Sequence, residues 1–219
     1  MPIPPATDSV PTPSPGRTLG RRPSVTREDL LNAALALLGP NRSVSTLSLR
    51  EVAREAQIAP NGFYRHFSGI DELAVTLIER AGASLRTIIG QARHRASVDR
   101  SVVRSSIEAF FEQLGSDDKL LHLLLREGLV GSDAFKQSVD RQLQYFEDEL
   151  RDDLARLAEI TGVPLYEPGL AARAITRLVF AVGGSAMDLP RAQHQQQIDD
   201  LTRMVRMIVN GARAMHRPT

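Results

Sequence analysis

The stretch SLREVAREAQIAPNGFYRHF, residues 48–67, decides the fold. Ser48 and Glu51 stand in a Ser-x-x-Glu capping box, which satisfies free amides at the start of a helix. Val52, Ala53 and Ala56 give that short helix an inner face, and Gln57, Ile58 and Ala59 read as a tight turn. Pro60 then opens another short helix, where its missing N–H costs nothing. Two short helices joined by a three-residue turn make a helix-turn-helix. Ala53, Ala56 and Ala59 are small enough for the helices to cross closely, while Val52, Ile58, Phe63 and Phe67 anchor the crossing.

The outer face of the second helix is left free to enter a DNA major groove. It carries Asn61, Gly62, Tyr64, Arg65 and His66, with Pro60 at its start. Asparagine pairs with adenine edges and arginine with guanine, and glycine lets a backbone come close. Tyr64 and His66 have polar tips suited to phosphate oxygens or bases. Ser48 sits at a helix N-terminus, where backbone amides attract phosphate, and Arg50 lies in the same first turn.

Outward from this core the chain reads as helical throughout. Towards the N-terminus, Thr26 and Asp29 resemble a capping box, followed by Leu30, Ala33, Ala34, Leu37 and Leu38 on one helical face. Gly39-Pro40-Asn41 ends that helix. Residues 1–24 hold seven prolines among Ser, Thr and Gly and are expected to be a disordered tail. Arg17, Arg21 and Arg22 at its end are either DNA contacts or part of a solvated tail.

Towards the C-terminus, Ser68 with Asp71 caps a long helix, striped by Ile70, Leu73, Ala74, Leu77, Ile78 and Ala81, to about Arg93. Helices are predicted over about 100–115, 117–129, 133–160, 168–187 and 191–214, with a break at Thr161-Gly162-Val163-Pro164. Ala171, Ile175, Leu178, Val182, Ile198, Leu201, Val205 and Ala212 form apolar stripes on the last two. Gly183-Gly184 permits a close helix contact, so these two helices are the expected two-fold interface of a homodimer. The fold class is therefore all-α. Residues 25–70 are expected to form a DNA-binding domain, and residues 71–219 a separate, larger helical bundle.

The chain has 219 residues, 42% hydrophobic and 24% charged, with a formal net charge of only +1. The charge distribution is more telling: from Arg17 to Phe67 there are eight arginines and four acids. A basic N-terminal segment on a near-neutral chain suits a phosphate-facing module. The sequence contains no cysteine, which excludes disulfides and thiolate chemistry. No signal peptide or membrane span is evident, and a cytoplasmic location with no membrane partner is expected. His66, His94, His122, His194 and His216 show no metal-binding spacing. No Gly-rich phosphate loop and no Gly-x-Ser-x-Gly motif is present. No catalytic residue, metal or cofactor is expected. A helical adaptor without DNA binding is the remaining rival, and the basic, capped helix-turn-helix argues against it.

The string Leu49 to Phe67, followed by Asp71-Glu72-Leu73, resembles the TetR family of bacterial regulators. The resemblance implies a dimeric DNA-binding regulator, usually a repressor, reading a near-palindromic operator and answering to a small ligand, with residues 71–219 as its ligand-binding and dimerisation domain. Many members carry a lysine at the start of the connecting helix; Ser68, Gly69 and Ile70 stand there here. Leu123-Leu-Leu-Arg-Glu127, Ser132-Asp-Ala-Phe-Lys136 and Phe146-Glu-Asp-Glu-Leu150 resemble the branch that represses unsaturated fatty-acid synthesis and senses long-chain acyl-CoA. That likeness covers most of residues 27–150 and fades after 160.

An acyl chain needs apolar side chains facing one another between helices. Val103, Ile107, Phe110, Phe111, Leu121, Leu124, Leu125, Phe146 and Phe180 are the candidates, each also readable as ordinary core. Arg126, beside Glu127, is either the polar mouth of such a site or half of a salt bridge to a neighbouring helix. A different hydrophobic effector, as in an efflux regulator, is the alternative. The sequence leaves open whether the ligand releases or strengthens DNA binding.

Overall fold

The computed structural model describes residues 25–38, 42–95, 102–116 and 119–216, without the side chains of 129 and 130. The proposed tail, its arginines and the Gly39-Pro40-Asn41 stop lie outside the described residues. Within them the chain forms nine α-helices and one short 3-10 turn, and no strand.

Helix α1 (Arg27–Leu37) begins at the expected box: Asp29 N donates to Thr26 Oγ1 at 3.2 Å, and Thr26 N to Asp29 Oδ2 at 2.8 Å. Its apolar side is buried at Leu30, Leu31, Ala33 and Ala34. A 3-10 turn over Val44–Thr46, which the sequence did not announce, leads into α2 (Leu49–Glu55). The Ser48–Glu51 box is fully formed there.

The end of α2 explains how the turn is made. Gln57 N bonds to Arg54 O at 3.0 Å and Ile58 N to Ala53 O at 2.9 Å, a Schellman ending. That motif requires a left-handed residue, and Gln57 supplies it with φ 56°. A side chain strains there where glycine does not. Gln57→Gly is therefore expected to stabilise the protein by about 1 kcal/mol. Thermal melting should move up by about 2–4 °C; no change, or a decrease, would mean that the Gln57 side chain contributes more than its backbone costs.

Helix α3 (Pro60–Phe63) is only four residues, continued by turns that bring Phe67 N to Phe63 O at 3.1 Å. The cap of α4 (Ile70–Arg95) differs in detail from expectation. Ser68 N and Oγ both donate to Glu72 Oε2, at 2.7 and 2.9 Å, not to Asp71. The i,i+4 partner has the longer reach, and Asp71 is exposed.

Helix α4 is the axis of the molecule and packs on α5 (Val102–Leu114), α6 (Lys119–Val130) and α7 (Asp133–Thr161). Helices α8 (Pro168–Ala186) and α9 (Arg191–Met215) close the bundle against α7 and α5. The α7 end falls where Thr161-Gly162 predicted it, with Gly162 left-handed at φ 63°.

One expectation is corrected here. Ala171, Ile175, Ile198, Leu201, Val205 and Ala212, read as interface stripes, are buried inside the subunit. Gly183 also faces inward: a Cβ on it would lie 2.5 Å from the Phe110 ring. The close contact it permits is with that ring. An amphipathic helix turns its more apolar face to the nearest core, which here belongs to its own chain. The rest of the stripes is not buried: Ala174 is exposed and Leu178, Val179, Val182 and Ile208 are half-buried, and Leu170 on α8 and Met204, Met207 and Met215 on α9 are outward as well. No described helix is long and apolar enough to cross a membrane.

Candidate nucleic-acid interface

Phe63 and Phe67 are 0% and 1% exposed, with ring centroids 5.7 Å apart. They hold a helix too short to stand alone, and burying them forces the opposite side outward. Asn61, Tyr64 and Arg65 are exposed, as is Pro60; Tyr64 retains 61% of its surface. Gly62 and His66 are half-buried. Gly62 has a packing reason of its own, because a Cβ there would come within 3.2 Å of Ile58 Cδ1.

Ser48 is exposed, but its hydroxyl is engaged: it donates to Glu51 Oε2 at 2.9 Å and accepts from Glu51 N at 3.2 Å. Glu51 in turn meets Arg42 Nη2 at 3.1 Å. Hydrogen bonds from the Ser48 amide and hydroxyl, then from Arg42, lower the Glu51 carboxyl to about 2. The cap is therefore anionic near neutral pH.

Arg50 is exposed and has no ion pair among the described residues. The same holds for Arg54 and Arg65. Arg54 was not singled out from the sequence, yet its i+4 spacing from Arg50 places both on one side of α2. That spacing was the signal available. Two like charges one turn apart repel slightly, so the pair gains from an anion facing it.

The interface is held on α4 by Arg27, a second residue the sequence reading passed over. Its guanidinium stacks 4.1 Å from the centre of the Phe67 ring. It donates to His66 O at 2.7 Å, to Glu72 Oε1 at 3.2 Å and to Thr76 Oγ1 at 3.1 Å. One side chain thus joins the end of the α3 turn to the first turns of α4. No local pattern reveals it, because its partners lie far along the chain.

The ligand candidates fall into two places. Phe180 joins Phe110 at 5.6 Å and Phe146 at 5.3 Å, and Phe110 also meets Phe111 at 5.8 Å. Leu125 lies near this group, within 3.7 Å of a Cβ on Gly183. Leu121 instead lines a cleft between α4, α5 and α6 with Ala81, Ser84, Leu85, Ile88, Gln113 and Leu120. Its volume is about 10 Å³, roughly one water. Ile107 and Leu124 are buried and Val103 is half-buried.

Arg126 is half-buried with no ion pair among the described residues, so the salt bridge expected for it is not formed. Its neighbour Glu127 is 1% exposed and accepts from Val44 N at 2.9 Å and Ser43 Oγ at 3.0 Å. Among the described residues no cluster of His, Asp and Glu is arranged to hold a metal.

Residues 30–77 match the family of bacterial regulatory proteins called the tetR family. Most of the chain is similar in fold to solved structures. A transcriptional regulator from Rhodococcus sp. Rha1 is 17% identical over 88% of this chain and 100% of its own, with a TM-score of 0.65. The fatty acid degradation regulator FadR from Bacillus halodurans is 15% identical over 91% and 99%, with a TM-score of 0.62. The multidrug binding protein EbrR, complexed with imidazole, is 16% identical over 88% and 96%, also with a TM-score of 0.62. The matched family and these neighbours are regulators and binding proteins, not enzymes. Residues 30–77 are accordingly the segment that matches the tetR family of bacterial regulatory proteins, and they are carried by a C-terminal helical domain that shares its fold with these solved structures.

Proposed function

We propose that the protein is a transcriptional repressor that binds a near-palindromic operator as a homodimer and is controlled by a hydrophobic effector, a long-chain acyl-CoA. The observation that carries the DNA-binding part is the outward face of α3 and of the turn that continues it, with Asn61, Tyr64 and Arg65 exposed over buried Phe63 and Phe67. Arg50 and Arg54 beside it supply cations that no carboxylate among the described residues neutralises.

Tyr64→Ala and Arg65→Ala are expected to leave thermal stability almost unchanged, because exposed residues contribute within about 0.5 kcal/mol. Each should weaken specific DNA binding by about 1–3 kcal/mol, or roughly 5- to 150-fold. Fluorescence anisotropy against DNA from upstream of the protein's own gene, with competitor DNA, measures this. Unaltered affinity in both variants would remove α3 from the interface. Arg54→Ala should instead weaken binding to all duplexes alike and reduce the salt slope by about one.

The dimer reading is supported by the apolar side chains left outward on the last two helices, Leu170, Met204 and Met207. The effector reading is supported by the aromatic group Phe110, Phe146 and Phe180, drawn from three helices into one apolar region. Arg126, with no carboxylate partner among the described residues, is left as a cation for a thioester or phosphate. The rings fill their own space, so an acyl chain enters only by parting them. Oleoyl- and palmitoyl-CoA added to the same titration test this: a shift in DNA affinity with either supports the acyl-CoA, and indifference to both discards it. The fold likeness to a multidrug binding protein keeps a different hydrophobic effector as the second reading.

A further inference from the structure

Helix α6 is tied to the DNA-binding domain near both of its ends. Near its start, Lys119 Nζ donates to the carbonyls of Leu35 at 2.9 Å and Ala36 at 3.2 Å. These belong to the last turn of α1, where a cation meets the negative end of the helix dipole. Eight residues on, about 12 Å along the helix, stands Glu127. Its two oxygens take the Val44 amide and the Ser43 hydroxyl, so both donors come from the 3-10 turn that leads into α2.

A carboxylate this deeply buried is tolerable only when hydrogen-bonded. Space is made for it: a Cβ on buried Gly131 would lie 2.9 Å from Glu127 Oε2 and 2.6 Å from the Glu127 carbonyl oxygen. Between the two ties, α6 carries Leu121, Leu124 and Leu125 into the core of the C-terminal bundle. One helix therefore has its middle in the bundle and its two polar ends on the DNA-binding domain.

We propose that Glu127, assisted by Lys119, is a positioning residue for DNA binding. Its carboxylate fixes the 3-10 turn and, through it, α2 and α3, so that a displacement of α6 moves the helix-turn-helix with it. The part concerning DNA affinity rests on the function proposed above; the part concerning domain position does not.

The natural absence of cysteine makes the test direct. Cysteines introduced at exposed Asn32 on α1 and exposed Gln144 on α7 accept spin labels, and labelled chains are diluted into unlabelled protein. Double electron–electron resonance then reads the distance distribution between the two regions. In E127A, which removes the acceptor of the Val44 amide and leaves the Ser43 hydroxyl only its Ser45 partners, the distribution is expected to broaden about twofold. Affinity for a duplex that the wild-type protein selects from a randomised library should fall about tenfold, as preorganisation is lost. E127Q keeps an oxygen for the Val44 amide and an NH₂ for the Ser43 hydroxyl, so it should restore both readouts. G131A, which displaces the carboxylate, should behave as E127A does.

If E127A does not fold, the double variant S43A/K119A, at partly and fully exposed positions, carries the test with the same expected broadening. A distribution as narrow as the wild type's in these folded variants overturns the proposal. So does E127Q behaving as badly as E127A, which would make the charge, not the hydrogen bonds, responsible. A wild-type protein that selects no duplex would count against the DNA-binding reading alone, since the distance measurement still decides the role of Glu127.

Discussion

Phe63→Ala is expected to cost about 3–5 kcal/mol of stability and to abolish specific DNA binding. Phe63 is fully buried, meets Phe67 at 5.7 Å and lies edge-on to Tyr64 at 6.1 Å. Helix α3 has four residues. A helix shorter than about 12 residues does not hold itself together in water, so this one exists because its side chains are anchored. Removing the anchor takes the order from Asn61, Tyr64 and Arg65 as well. The contrast with Tyr64→Ala is the point of the measurement. Both variants should lose DNA affinity, but only Phe63→Ala should also melt early by circular dichroism. A Phe63→Ala protein that melts as the wild type does would show that α3 is held by something other than its aromatic pair.

The other large effect concerns Phe110 and Gly183. Phe110 is fully buried among Phe111, Phe180 and the backbone of Gly183. Phe110→Ala alone should cost about 3–5 kcal/mol through lost burial and the cavity left behind. Gly183→Ala alone should also destabilise. Mid-helix alanine normally gains about 1 kcal/mol over glycine, but this Cβ would stand 2.5 Å from the ring. Overpacking of that kind costs about 1–3 kcal/mol.

In the Phe110→Ala background the clash is gone, and Gly183→Ala should become stabilising. Denaturant unfolding of the four proteins closes the cycle, with an expected coupling of about 1–3 kcal/mol. Additive effects would mean that the two sites do not share one space. The cycle also bears on the effector: the space freed in Phe110→Ala lies beside Phe180, whose ring also meets Phe146. Altered acyl-CoA affinity in that variant, measured apart from stability, would locate the ligand there.

The helix starts were legible because capping is local. Thr26 with Asp29, and Ser48 with Glu51, bond across three residues, and Pro60 needs only its own ring. The exposure of Tyr64 and Arg65 was legible for a related reason. Two aromatic anchors four residues apart define an inside and turn these two outward, while His66 next to Phe67 stays half-buried. Arg54, by contrast, was overlooked although its spacing from Arg50 was in plain view.

Other features depend on partners that no local pattern contains. Glu127 takes its donors from Ser43 and Val44, more than eighty residues earlier in the chain. Arg27 reaches Glu72 and Thr76 in the same way. Helix α9 shows the limit most clearly. It carries Ile198, Leu201 and Val205 on one side and Met204 and Met207 on another. Periodicity marks both sides as apolar, and only packing against α5 and α8 sends the first inward and leaves the methionines exposed. Sequence alone thus determined the helices, their caps and the polar face left outward around Phe63 and Phe67, because those follow from contacts within a few residues. The tertiary structure decided which apolar face is core, why Gly183 is bare and what holds the helix-turn-helix in place, because those are set by competition among surfaces brought together from distant parts of the chain.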